Sequence, residues 1–198
     1  MNKKRILITI GAVILIGLII FIIIYYKSSN SGNNIINNIL NIESYEATAQ
    51  ITVNSNKTTN TYTVKQQYIK DGNLFKQEFL EPSNLEGLTI IYDGKDLKVE
   101  SSENSLAKAY ENYPYMEQNN LSLEGFVHDY QNSGENKCYE KNGEVILETK
   151  IKDGNKYASY KKLYIDKVNK KISKLEIQDV AQKAVVYILY NEIEINNL

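Results

Sequence analysis

The chain has 198 residues, a formal net charge of −1 and 24% charged residues, which suits one domain of ordinary size with a short appendage. This charge balance argues against nucleic acid as a partner, because nucleic-acid binding requires a strongly positive surface. The single cysteine, Cys138, excludes an intramolecular disulfide, and we expect its thiol to be buried.

An uncharged apolar run covers residues 6–26 and follows a basic segment, residues 1–5. As a helix the run would be about 31 Å long, which matches the hydrocarbon thickness of a bilayer. It is longer than the apolar region of a cleaved signal peptide, and no A-x-A-like site follows it. We therefore predict an uncleaved single-pass anchor from Ile6 to Tyr26 in the cell membrane. Residues 1–5 would then lie in the cytoplasm and the rest of the chain outside.

The exported part begins with a short polar linker, residues 27–34 (KSSNSGNN), and we expect the extracytoplasmic domain to occupy residues 35–198. Removing the three positive charges of residues 1–5 leaves this part with a net charge of about −4. Four apolar residues recur at helical spacing in NNIINNILN, which predicts an amphipathic helix at Asn34–Asn41.

From Tyr45 onward the period of the apolar residues changes from 3.6 to two. Alternating runs at residues 45–53, 61–70 and 74–80 predict three strands, the last two joined by a turn at Asp71-Gly72-Asn73. The stretch LTIIYDGKDLKVE predicts a further hairpin through Asp93-Gly94. Closely spaced strands with hairpin turns indicate an antiparallel meander without βαβ units.

The middle of the chain predicts two helices. The first is NSLAKAYENY, whose apolar residues have helical spacing until Pro114 stops it. The second is LSLEGFVHDYQNSG, in which Leu123, Phe126, Val127 and Tyr130 form one stripe that ends before a glycine.

The strand pattern then resumes and continues to the end of the chain. Hairpin turns are predicted at Asn142-Gly143 and Asp153-Gly154, and another turn at residues 167–171. We expect about nine or ten strands in all. The predicted fold class is α+β: a curved antiparallel sheet whose apolar face is covered by the N-terminal helix and the two middle helices. Its interior would be either packed with side chains or open for a lipid.

Residues suited to catalysis are few. His128 is the only histidine, so a two-histidine zinc site is impossible, and we expect it to be a solvated residue of the second middle helix. Glu192 and Glu194 alternate with isoleucines, as on the solvated face of a strand. No glycine-rich phosphate loop, CxxC pair or calcium loop occurs. The sequence therefore predicts a protein that is not an enzyme and has no metal or other cofactor.

The order of these elements resembles the LolA/LolB/LppX group of envelope lipoprotein carriers. An amphipathic helix, the strand SYEATAQITV, two further strands, a link containing Pro82 and the hairpin IYDGKDLKVE follow one another as in that group. The resemblance covers roughly residues 33–198. It implies a LolA-like fold, in which an incomplete antiparallel β-barrel wraps around helices.

Three segments of the second half are similar to the GerS family of clostridial germination lipoproteins, which share the LolA-like fold. They are SLEGFVHDY (122–130), YKKLYIDK (160–167) and LEIQDVAQKAVVYILYNEIEIN (175–196). The resemblance implies a non-enzymatic partner of the amidase that starts muramic-lactam formation in the spore cortex. Such a protein binds the amidase outside the membrane and permits its activity, so that the cortex lytic enzyme finds its substrate at germination. This chain departs from the family because no lipid-accepting cysteine lies between Met1 and Lys137.

Two functions are therefore considered, with a hydrolase as a third and weaker one. The first is an anchored adaptor that binds a peptidoglycan amidase or another envelope protein during sporulation and germination. The second is a carrier that binds a lipid or a lipoprotein in an apolar cavity. Four aromatic residues are candidates for a ligand or partner surface, although their spacing also fits an ordinary core: Tyr68, Phe75, Phe79 and Phe126.

Overall fold

The structure is a computed structural model, and it describes four stretches of the chain: residues 34–55, 57–101, 106–113 and 121–197. The predicted basic flank (1–5), anchor (6–26) and nearly all of the linker (27–34) lie outside these stretches. Within them, no helix is long and apolar enough to cross a membrane. The chain divides into two units, residues 1–37 and 38–198.

Helical backbone covers residues 34–40, here called α1, in agreement with the predicted amphipathic helix. Its first four residues belong to the first unit, and the remaining three open the second unit. The second unit contains a longer helix, α2 (Leu123–Asn132). Its strands are β1 (Ser44–Asn54), β2 (Thr59–Ile69), β3 (Leu74–Glu81), β4 (Leu88–Tyr92), β5 (Leu97–Ser101), β6 (Leu106–Tyr110), β7 (Asn136–Lys141), β8 (Glu144–Asn155), β9 (Ala158–Asp166), β10 (Lys171–Gln178) and β11 (Ala184–Asn196).

The described strands form one open antiparallel sheet in the order β6-β5-β4-β3-β2-β1-β11-β10-β9-β8-β7. The chain starts at the centre with β1, proceeds strand by strand to the β6 edge, and resumes beyond α2 at the β7 edge. It then returns to the centre, where β11 pairs with β1 from Ser44↔Asn196 to Val53↔Val186. The predicted meander is therefore confirmed, with its first and last strands side by side.

The inner face of the sheet carries the core. In β1 the buried residues are Tyr45, Ala47, Ala49 and Ile51, and the residues between them are more exposed, as the predicted period of two requires. Cross-strand pairing continues this apolar row, since Leu175 of β10 lies opposite Ile188 of β11 and Leu163 of β9. A smaller cluster of Phe75, Tyr92 and Leu97 fills the β3–β5 part of the sheet.

Helix α2 lies within the second predicted middle helix, and Ser122 caps its start. The Oγ of Ser122 accepts a hydrogen bond from the backbone N–H of Gly125 at 3.3 Å, which caps the first turn. Leu123, Phe126 and Val127 are buried against the sheet, whereas His128 faces solvent. The helix therefore presents one apolar stripe to the inner face.

Two predicted elements are wrong. The first middle helix is the edge strand β6, because residues 106–110 pair with β5 along its whole length. The pairing partner, which local spacing does not reveal, decides the conformation of this short segment. The Asp153-Gly154 turn is also wrong, since β8 continues to Asn155 and the hairpin closes at Asn155↔Ala158, after a register irregularity.

The expectation for Cys138 is wrong as well. The residue lies on β7, which is the edge of the sheet beside β8, and it is exposed. An edge strand lacks a neighbour on one side, so a residue there is less covered than the same residue type in a central strand.

The burial of two apolar residues predicts very different effects of their substitution on the free energy of unfolding. Leu163 has no exposed surface, whereas Val168, in the next turn, is 84% exposed. We expect Leu163→Ala to lower the free energy of unfolding by about 3 kcal/mol, since it leaves a cavity. We expect Val168→Ala to have almost no effect. Urea denaturation measures both variants, and equal losses would contradict the described core.

Candidate functional site

A buried ion pair joins α2 to the sheet. Lys161 of β9 is completely buried, and its Nζ lies 2.7 Å from Oδ2 of Asp129 on α2. The same ammonium donates a hydrogen bond of 3.1 Å to the backbone oxygen of Gly125. Burial lowers the pKa of Lys161, although the neighbouring Asp129 acts to raise it. One lysine therefore holds two successive turns of the helix.

A buried carboxyl lies one turn earlier on the same helix. Glu124 is 7% exposed, and its Oε2 accepts a hydrogen bond of 2.7 Å from the hydroxyl of Tyr45 on β1. Its Oε1 is buried and accepts no hydrogen bond from the part of the chain that the structure describes. Burial raises the pKa of Glu124, and the hydrogen bonds from Ser122 and Tyr45 oppose that rise.

A second polar group in this region has no partner among the described residues. The hydroxyl oxygen of Tyr190 on β11 is buried and forms no hydrogen bond there. Burial raises the pKa of Tyr190, and the charge of Glu124 raises it further. The interior between α2 and the central strands is therefore partly polar.

A cleft of about 370 Å³ opens beside Glu124. Half-buried Tyr68 forms part of its wall, and the ring of Tyr68 lies 5.9 Å from that of Tyr45. Lys70, another lining residue, is paired with Glu43 at 2.6 Å, so its charge is neutralised. The other side chains that bear on its chemistry are Asn73, Glu124, Val127, His128 and Gln131.

The outer face of β7–β11 has a different character. Glu148 lies 3.1 Å from Lys162 and 3.4 Å from Lys137, so three neighbouring strands are linked by charge. Burial acts to raise the pKa of Glu148, but the two lysines lower it overall. On the next strand Glu176 accepts a hydrogen bond of 3.0 Å from Tyr164. We call the surface formed by these side chains the outer tyrosine-lysine face. Its residues are Lys137, Glu148, Lys162, Tyr164, Glu176, Tyr187 and Leu189.

The four aromatic residues that the sequence predicted do not meet at one surface. Tyr68 lines the cleft, whereas Phe75 is buried in the cluster with Tyr92 and Leu97. Phe79 is half-buried and packs edge-on against Tyr62. Phe126 is fully buried and its ring lies 5.7 Å from that of Tyr130. A role for any of them in binding stays a prediction.

Sequence reasoning missed the polar contacts of α2, although signals for them exist. Leu163 and Ile165 face inward, so the period of two places Lys161 on the same face. Glu124 adjoins the apolar stripe of its helix in the same way, one residue from Leu123 and three from Val127. The positions of Lys161 and Glu124 relative to the neighbouring apolar residues therefore indicate that both side chains face inward. Their partners are far away in sequence, so the sequence does not identify them.

The geometry offers little for catalysis. His128 is exposed, and its Nδ1 lies 3.9 Å from Oδ1 of Asp129. Among the residues that the structure describes, no group of three or more histidine, cysteine or acidic side chains is arranged to hold a metal ion.

Comparisons with solved structures define the class of protein. A chain in the structure of the CwlD amidase from Clostridioides difficile in complex with the GerS lipoprotein matches with 25% identity and a TM-score of 0.54. The match covers 84% of this chain and 94% of that one. An uncharacterized conserved protein from Thermus thermophilus has 14% identity and a TM-score of 0.51, with 85% and 89% of the two chains covered. A LolA superfamily protein from Nitrosomonas europaea has 13% identity and a TM-score of 0.42, with 84% and 94% covered. The chain therefore resembles GerS in sequence and fold.

The family follows from the sequence. The model of the sporulation protein YdcC-like family matches residues 3–197, and the chain therefore belongs to this family. The comparison with curated proteins gives no match.

The buried ion pair predicts a large loss of stability when one partner is removed. Lys161→Ala leaves Asp129 without its cation, so we expect the free energy of unfolding to fall by about 3–5 kcal/mol. The control is Lys150→Ala, which breaks an exposed pair with Glu135 at 2.8 Å and should change little. Urea denaturation compares the two, and similar losses would show that the buried pair does not hold α2.

The raised pKa of Glu124 predicts how stability depends on pH. Since this group binds its proton more tightly in the folded state, its contribution is present below the ordinary pKa of 4.5 and is lost as pH rises through the raised value. We therefore expect wild type to lose stability relative to Glu124→Gln as pH rises above 4.5. Tyr45→Phe removes an interaction that lowers this pKa, so its curve should decline over a wider range. The free energy of unfolding of all three proteins is measured by urea denaturation at each pH. If it changed with pH in the same way for all three, Glu124 would not be the group whose pKa is raised.

Proposed function

We propose that this protein is a membrane-anchored, non-enzymatic adaptor that binds a spore-cortex peptidoglycan amidase outside the membrane and permits its activity. The observation that carries the proposal is the match to the GerS structure, which was solved with an amidase. The sequence identity is 25%, and the match covers 94% of that chain. Membership of the sporulation protein YdcC-like family supports the same process. The anchor would be the apolar run of residues 6–26, with the domain on the outer side.

The three segments that resemble GerS occupy defined places in the fold. Residues 122–130 begin at the cap of α2, residues 160–167 lie mainly in β9, and residues 175–196 contain the second half of β10 and all of β11. They include Glu124, Asp129 and Lys161, which fix the helix to the sheet. They also supply much of the outer tyrosine-lysine face. The segments that resemble GerS therefore contain both the contacts that hold α2 on the sheet and much of the surface proposed for binding.

The outer tyrosine-lysine face is the surface that we propose for the amidase. It combines partly exposed tyrosines with paired charges, a composition that is common in protein interfaces. Leu189 on this face is 40% exposed and lies opposite Lys174 of the neighbouring strand. Because Leu189 points away from the core, a charge introduced there would disturb binding without disturbing packing.

The alternative function, a lipid or lipoprotein carrier, has less support. A carrier needs an apolar space, but Phe126, Leu163 and Ile188 are fully buried on the inner face. The space between α2 and the sheet also contains the Lys161–Asp129 pair, which an acyl chain would have to displace. Lipid recovered by mass spectrometry from the purified protein would favour the carrier.

The adaptor predicts a specific complex. With the full chain as bait in sporulating cells of its own organism, we expect a peptidoglycan amidase among the captured proteins. Leu189→Lys should lower its recovery at least about tenfold, which corresponds to about 1.4 kcal/mol. The matched control is Leu80→Lys on β3, where the leucine is 38% exposed. The exposed His128→Ala should also leave recovery unchanged.

A deletion strain supplies the physiological test of the same proposal. We expect its spore cortex to lack muramic-lactam, because the amidase would be present but inactive. Normal muramic-lactam, together with no amidase captured by the wild-type bait, would refute the adaptor.

A further inference from the structure

The lining of the cleft beside Glu124 includes a buried carboxyl group with one oxygen that accepts no hydrogen bond within the described part of the chain. Glu124 is more than nine-tenths buried and lines the cleft, and its Oε2 accepts a hydrogen bond from the hydroxyl of Tyr45. Oε1 is equally buried and accepts nothing from the described residues. A buried carboxyl oxygen without a donor costs free energy, and a donor that enters the cleft would remove this cost.

The walls of the cleft indicate the polarity of that donor. Only Leu40, Ile42 and Val127 among its ten lining residues are aliphatic. Gln131 uses its Nε2 to donate to the backbone oxygen of Leu40 at 2.6 Å, which fixes the orientation of its amide. Asn73 contributes a second amide, and the ring of Tyr68 contributes a flat apolar surface. An acyl chain fits such a lining poorly, because it would desolvate the amides without pairing them.

The charges around the cleft favour a neutral ligand. Lys70 is neutralised by Glu43, and the nearby Lys161 is neutralised by Asp129. Burial raises the pKa of Glu124, which favours its uncharged form. His128 also lines the cleft, and its Nδ1 lies 3.9 Å from Oδ1 of Asp129. Each lining side chain that can be cationic therefore has a carboxylate beside it, and the carboxyl of Glu124 is suited to hydrogen bonding with hydroxyl or amide groups.

We propose that this cleft binds a neutral, polyhydroxylated ligand of the size of one sugar ring. A hydroxyl or amide N–H of the ligand donates to Oε1 of Glu124, and a face of the ring lies against Tyr68. The amides of Asn73 and Gln131 face the remaining hydroxyl groups. The volume of about 370 Å³ is near the lower end for small-molecule sites, which fits one ring better than a longer molecule held along its length.

This site does not depend on the proposed adaptor role. It uses the inner side of α2 and the ends of the central strands, whereas the outer tyrosine-lysine face lies on the opposite side of the sheet. A free sugar and the end of a glycan chain share the same chemistry, so the experiment must separate these two sources.

The test is saturation-transfer NMR on the full chain in nanodiscs, with N-acetylglucosamine and its β-1,4-linked disaccharide as probes. We expect transfer to the ring protons of both probes. Tighter binding of the disaccharide would identify a glycan end as the source, and equal binding would identify a free sugar. The amidase is absent from this experiment, so its result is independent of the adaptor.

Variants locate the binding. Tyr68→Ala should weaken the affinity at least about tenfold through the loss of the ring contact, and Tyr68→Phe should restore it to within about twofold. Tyr157→Ala, at a residue 63% exposed in a distant turn, is the matched control and should bind as wild type. Glu124→Gln should also weaken binding, and if that variant does not fold, the Tyr68 pair decides. Absence of transfer from folded wild type, or equal transfer for Tyr68→Ala and wild type, would overturn the proposal.

Discussion

The contact between Lys161 and α2 is the interaction on which the rest of the structure depends. Its ammonium binds the carboxylate of Asp129 at 2.7 Å and the backbone oxygen of Gly125 at 3.1 Å, in complete burial. Together with the hydrogen bond from Tyr45 to Glu124, it fixes α2 over β1 and β9 at once. Because each of these groups would be costly to bury alone, the helix has one favourable position on the sheet.

This position closes the inner face and leaves other surfaces available. An antiparallel sheet with one apolar face could enclose an apolar cavity, but here its centre is filled by apolar residues such as Phe126 and by the paired charges beneath α2. Binding is therefore expected on the outer side of the sheet and in the polar cleft at one end of the helix. The outer side presents partly exposed tyrosines, and Oε1 of Glu124 has no hydrogen-bond donor among the described residues.

The sequence predicted the elements whose signals are local. The alternation of β1, the turn at Asn142-Gly143 and the helix in LSLEGFVHDYQNSG all depend on neighbouring residues, and all three are confirmed. Residues 106–110 were mispredicted because five residues carry too little periodicity to outweigh pairing with β5. The Lys161–Asp129 contact joins residues that are far apart in sequence, so only the fold brings them together. The binding role of the four aromatic residues stays a prediction, because the structure does not bring them together at one surface.

Amide hydrogen exchange of the full chain in nanodiscs, read by mass spectrometry, tests most directly whether α2 is a fixed part of the core. We expect the amides of α2 to exchange as slowly as those of β1 and β11, because the helix would open only when the whole domain unfolds. We also expect Lys161→Ala to lose the slow exchange of α2. Fast exchange of α2 in wild type, with β1 and β11 still protected, would show a helix that opens over a cavity and would contradict the account.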